Sequence, residues 1–97
     1  MNNNMEFEVI EKENIPSLVF PSEHIQRTSQ EEALLRKELQ NATILGNIEK
    51  NKIKIYFEDN QGLKMVETTI WATGKENITL KAGVIVPIHR IRKIDIV

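Results

Sequence analysis

The chain has 97 residues, 40% hydrophobic and 28% charged, which is enough for one modest core and leaves no room for a second. It contains no cysteine, so disulfides, thiolate metal sites and a cysteine nucleophile are excluded. No apolar run approaches the roughly 20 residues of a membrane helix, and the stretch Met1 to Asn14 lacks the basic-then-apolar profile of a signal peptide, so a cytoplasmic location is expected.

Thirteen basic and fourteen acidic residues give a net charge of -1, which argues against a dedicated nucleic-acid binder. The charges are unevenly placed. Residues 1–41 hold eight acids and four bases, whereas residues 42–97 hold six acids and nine bases. Either the acidic half folds over the basic half, or the basic half meets a polyanion. The first alternative needs no partner.

Met1 to Asn4 offers no apolar face and reads as a frayed end. Phe7 with Val9, and then Leu18, Val19 and Phe20, form two short extended stretches around Ile15-Pro16, because proline restricts its predecessor to extended geometry. A helix follows, announced twice: Thr28 with Glu31 and Ser29 with Glu32 each fit the capping box. Leu35, Leu39 and Ala42, joined by Leu34, make its apolar stripe, and Glu32 can pair with Arg36 one turn on. Gly46-Asn47 is expected to stop the helix, since both residue types tolerate the left-handed conformation.

From Lys52 the period becomes two. Ile53, Ile55 and Phe57 point one way while Lys52, Lys54, Tyr56 and Glu58 point the other. Glu58 to Gly62 is turn chemistry, with Asn60 and Gly62 suited to positive φ. Val66, Thr68, Ile70 and Ala72 then alternate with Met65, Glu67, Thr69 and Trp71 as a second strand. Ile78 and Leu80 face inward on a third. After the Ala82-Gly83 turn, Val84 to Val86 makes a fourth that Pro87 ends, and Ile91, Ile94 and Ile96 belong to a closing strand. Ile88 and Ile91 sit three apart, as in one turn of tight helix.

A meander of four or five short strands buries its surface most economically by curling into a small barrel. The expected architecture is therefore α+β, mostly β: one N-terminal helix followed by a small SH3-like (Sm-like) barrel of about five antiparallel strands. Residues 1–28 read as an extended or partly disordered acidic segment, and residues 29–97 as the helix plus barrel.

Ile53, Ile55, Phe57, Asp59, Gly62 and then Asn77-Ile78-Thr79-Leu80 follow the order of the first Sm motif, and this half of the chain resembles the Sm-like small barrels. More narrowly, Val66 to Ala72, Leu80 to Val84 and Ile85 to Ile91 are similar to a family of small, uncharacterised bacterial proteins with such a barrel. The Arg-Gly pair of the Sm RNA pocket is Ala82-Gly83 here, so the resemblance implies a fold and no activity.

Two sets of residues stand out as candidate sites. Met65, Trp71 and Ile85 would form an apolar patch on the outer face of a barrel, covered by the helix stripe, by the Phe7 to Phe20 belt, or by a partner. Lys52, Lys54, His89, Arg90, Arg92 and Lys93 supply cations that either hold a phosphate backbone or form a solvated edge strand whose charges discourage edge-to-edge pairing. His24 and His89 each lack a neighbouring ligand in the sequence, so no metal site and no cofactor is expected. No nucleophile with a histidine and carboxylate setting is evident, and an enzyme is not expected.

The expected function is a binding or assembly module acting through protein-protein contacts at the apolar patch and at open strand edges, self-association included. The closing strand Ile91 to Val97 is the natural edge to receive another chain. The alternative is nucleic-acid binding through the basic C-terminal strand.

Overall fold

The computed structural model describes residues 6–97, so the expected frayed end at Met1 to Asn4 lies outside the described residues. Helix α1 spans Ser29–Glu49. Seven strands surround it in sequence: β1 Glu8–Val9, β2 Ile53–Glu58, β3 Leu63–Thr68, β4 Ile70–Thr73, β5 Asn77–Leu80, β6 Ile85–Pro87 and β7 Ile91–Ile96. They build two sheets, one ordered β1-β3-β2-β7 and the other β4-β5-β6. Within the first, β1 runs parallel to β3 and the other pairs are antiparallel; the second is antiparallel throughout.

The α+β, mainly β character agrees with the sequence, but the closed SH3-like barrel does not form. A barrel needs a continuous ladder, and here the two sheets stay open. β6 is three residues long and ends at Pro87, which has no N–H to give, and Ile88–Arg90 then turns off as a 3-10 helix before β7 begins. Among the described residues β7 pairs with β2 alone, and no strand of theirs lies on its outer edge.

The alternation between the sheets explains the core. Ile53, Ile55, Phe57, Val66, Ile70, Ile78, Leu80, Val86, Ile91 and Ile94 form one buried cluster with Leu35, Leu39 and Ala42 of α1. Each of these side chains except Ala42 is worth about 1.5–3 kcal/mol relative to exposure. Leu34, expected to join the stripe, is exposed instead. The second alternating run is cut at Thr69, where the chain passes from the first sheet to the second. The register slips between Ile70 and Ala72, leaving Trp71 as the extra residue of a bulge and turning Ala72 outward.

Thr28 caps α1 with the full box: its side chain accepts from the Glu31 amide at 3.1 Å, and the Glu31 carboxylate accepts from the Thr28 amide at 2.8 Å. Ser29 is the first helical residue, not a second cap, and Glu32 is free to receive Arg36 at 2.9 Å, as its spacing suggested. The helix does not stop at Gly46-Asn47. It continues to Glu49, and Lys50 ends it in the left-handed conformation with φ 56°. Gly46 serves a different purpose: a Cβ there would stand 2.7 Å from the Ile70 carbonyl oxygen and 2.8 Å from Thr69 Cγ2. The missing side chain lets α1 lie against the start of β4. Asn47 Nδ2 donates to the Trp71 carbonyl at 3.2 Å, and the Thr43 and Thr73 hydroxyls meet at 2.6 Å.

The N-terminal segment is partly built into the core. Lys12–Ser17, Pro16 included, is a 3-10 turn, so Ile15 does not take the extended geometry that the following proline suggested, and the turn drives Ile15 into the buried cluster. Ile10 donates its amide to Met65, Phe7 stands edge-on to Tyr56 at 5.2 Å, and Phe20 packs on Phe57 at 5.6 Å. Phe7 covers the side of β2 that alternation assigns to solvent, which helps bury Tyr56, whereas Phe20 adds to the core-facing side that carries Phe57.

In the β2–β3 turn Gly62 carries positive φ (140°), while Asn60 does not. Asp59 organises this turn. Its Oδ1 accepts from the amides of Gln61 at 2.9 Å and Gly62 at 3.1 Å, and Lys64 Nζ reaches both carboxylate oxygens at 2.9 Å. Burial alone would raise the Asp59 pKa; the Lys64 ammonium and the two amides outweigh it and hold the carboxyl below its ordinary value.

Candidate functional site

The structure does not bring Met65, Trp71 and Ile85 together. Met65 sits in the first sheet between Tyr56 and Val9 and is only 7% exposed, whereas Trp71 and Ile85 lie in the second sheet at 47% and 55%. The physical reason is the change of sheet at Thr69, which puts residues before and after it on different layers. Asn47 of α1 approaches the Trp71 backbone, and the indole itself stays half-exposed.

The six candidate cations also divide. Arg90 is a buried clamp: its Nε donates to the Glu58 carbonyl at 3.0 Å and a terminal nitrogen to the Glu23 carbonyl at 2.8 Å. His89 donates from Nε2 to the Pro21 carbonyl at 3.0 Å and stacks on His24 with ring centroids 4.6 Å apart. The two histidines, 65 positions apart in the chain, are therefore neighbours, which their sequence settings did not suggest. No group of three His, Cys, Asp or Glu residues able to hold a metal occurs among the described residues. Arg92 pairs with Glu58. Lys93 Nζ lies 3.3 Å from Asp95 and 4.8 Å from the centre of the Tyr56 ring. Lys52 is exposed and Lys54 half-buried on β2. The ion pairs mostly close within each half of the chain; among the described residues only Glu8 to Lys64, at 4.0 Å, joins the acidic half to the basic one.

The feature with unsatisfied chemistry is the outer edge of β7. The register pairs Lys54 with Asp95 and Tyr56 with Lys93, and the Val97 amide donates to Lys52. In an antiparallel ladder the residues that bond to the neighbour alternate with residues whose N–H and C=O point the other way. Asp95 and Val97 therefore turn toward β2, while Ile94 and Ile96 direct their N–H and C=O groups outward. None of these four groups has a hydrogen-bond partner among the described residues.

Arg27 sets the upper limit of this open stretch. It donates to the carbonyls of Ile91 and, at 3.1 Å, Ile88, and Glu32 holds its Nε at 2.9 Å. That contact, together with Arg36, keeps the Glu32 carboxyl below its ordinary pKa despite some opposing desolvation. The amide of Ile25 adds a bond to the His89 carbonyl. Below Ile91 the edge is free, and beside it runs a groove of about 390 Å³ lined by Glu38, Asn41, Ile94, Asp95 and Ile96. A second hollow, sharing Glu38, extends it along Leu34 to Arg92 and Lys93.

The other edges are shorter or covered. β1 is two residues long, β6 is three with a terminal proline, and β4 lies under α1. The sequence pointed to Ile91 to Val97 as an edge but left Asp95 out of the candidate residues and gave no weight to Arg27. Asp95 was detectable as an acid two positions from Lys93, on the same face of a strand. Arg27 was not, because its partners lie 61 and 64 positions away.

Comparison with known proteins finds no matching family model, no matching curated protein and no matching solved structure. No helix among the described residues is long and apolar enough to cross a membrane.

Proposed function

We propose that this protein is a non-enzymatic assembly module that receives an extended segment of another polypeptide on the outer edge of β7. The observation that carries this reading is the outward N–H and C=O pairs of Ile94 and Ile96, on a six-residue strand with no proline, next to an open groove. Main-chain hydrogen bonds of an added strand would supply affinity, and alternate side chains entering the groove beneath α1 would supply selectivity. The nucleic-acid alternative has less support, because Arg90 is committed to two carbonyls and Arg92 and Lys93 each have a carboxylate within the chain.

A library of displayed heptapeptides tests the reading. Selected peptides are expected to protect the Ile94 and Ile96 amides from exchange and to lose binding to an Ile96→Pro variant, which removes one outward donor. A library that yields no binder, or binders that protect only other strands, would overturn it.

A further inference from the structure

We infer that β7 takes as its added strand β7 of a second copy, antiparallel, with Ile94 opposite Ile94 of that copy. This rests on the strand-addition reading and makes it specific. Charges commonly guard a free edge against such pairing. On β7 the guards are Lys93 and Asp95, about half-exposed, one of each sign and flanking Ile94. A twofold axis through Ile94 sets Lys93 of each copy against Asp95 of the other, so the guarding charges become mutually attractive.

The backbone agrees with that register. Ile94 points its N–H and C=O outward, so the Ile94 pair can exchange both hydrogen bonds, and the flanking pairs become the non-bonded ones, where side chains approach most closely, with Cα atoms about 4.5 Å apart. The next register that keeps outward groups facing each other, Ile94 opposite Ile96, brings Asp95 against Asp95 and leaves Lys93 without an acid. Setting Ile96 against Ile96 puts Asp95 opposite Val97 and brings no Lys93 against an Asp95. One register of the three is charge-complementary, and it is self-complementary, as an isologous dimer requires. In a single chain Lys93 and Asp95 lie 3.3 Å apart on one face and can exchange this contact for the equivalent contact across the interface. The product is a continuous sheet of eight strands, four from each copy.

Sedimentation equilibrium of the full chain at low salt, from micromolar to millimolar, tests this. The wild type is expected to approach twice the 11.2 kDa chain mass. Because each reversal creates two like-charge contacts by symmetry, Asp95→Lys and Lys93→Asp should each weaken the dimer about tenfold. The double variant, Lys93→Asp with Asp95→Lys, should recover wild-type affinity within about threefold. Dimers indifferent to all three changes, or a double variant no better than the singles, overturn the register. A chain monomeric at 1 mM that still binds selected heptapeptides at Ile94 and Ile96 overturns self-pairing alone and leaves strand addition standing. A monomer that binds none overturns both.

Discussion

The guanidinium of Arg27 donates to the carbonyl of Ile91, and that bond divides the outer edge of β7 into a satisfied upper part and an open lower part. The same side chain holds the Ile88 carbonyl and Glu32, so one residue ties the start of α1 to the turn that launches β7.

Replacing Arg27 by Met would keep much of the packing and leave two carbonyls without their donor. Each unsatisfied buried acceptor costs about 1–3 kcal/mol, reduced where water can enter. The expected loss is about 2–3 kcal/mol, read as a lower urea midpoint at unchanged slope. A variant as stable as the wild type would show that Arg27 does not anchor the edge.

Gly46→Ala separates two opposing effects. In an open helical position the change stabilises by up to about 1 kcal/mol. Here the new methyl group would meet Ile70 backbone at 2.7 Å, and overpacking of this kind costs about 1–3 kcal/mol. Destabilisation is expected, measured by thermal or urea unfolding; stabilisation would mean that α1 does not sit this closely on β4.

This position also shows where reading the sequence reaches its limit. Glycine near a helix end serves equally as a left-handed stop or as a gap for a crossing backbone, and only the position of Ile70 decides. The Ile53, Ile55 and Phe57 alternation was legible because one face of one strand is buried throughout. The alternation from Val66 to Ala72 placed Val66, Thr68 and Ile70 inward as found, but it failed at Ala72, since nothing local marks the passage from one sheet to another or the bulge at Trp71. Barrel closure failed for a related reason: strand lengths and turns were visible, but the ladder that β6 and β7 do not make is a long-range fact. Arg90 looked like a surface cation because its carbonyl partners, Glu23 and Glu58, are remote in the chain.

The Asp59 and Lys64 pair predicts an acid-side effect. Asp59 has a folded-state pKa below its ordinary value, so its contribution to stability is fully present above the unfolded-state pKa of about 3.9 and is lost as pH falls through the lower folded-state value. Asp59→Asn leaves the Lys64 ammonium buried without its nearest carboxylate, and about 2–4 kcal/mol should be lost at pH 7. The gap between variant and wild type should then close as pH falls below about 4. Parallel pH profiles for the two proteins would rule out this role for the pair.

Trp71 is the only tryptophan and sits half-exposed in the second sheet, away from β7. Association through β7 should leave its quenching by acrylamide unchanged from low to high protein concentration. Quenching that falls as oligomer forms would move the interface to the Trp71 and Ile85 face.

The most direct measurement is residue-resolved amide exchange at Ile94 and Ile96 as protein concentration rises. Exchange should be fast in the dilute monomer, because those N–H groups point outward, and should slow in step with the dimer fraction from sedimentation. Dimer formation with Ile94 and Ile96 still exchanging at their dilute rates would contradict the account.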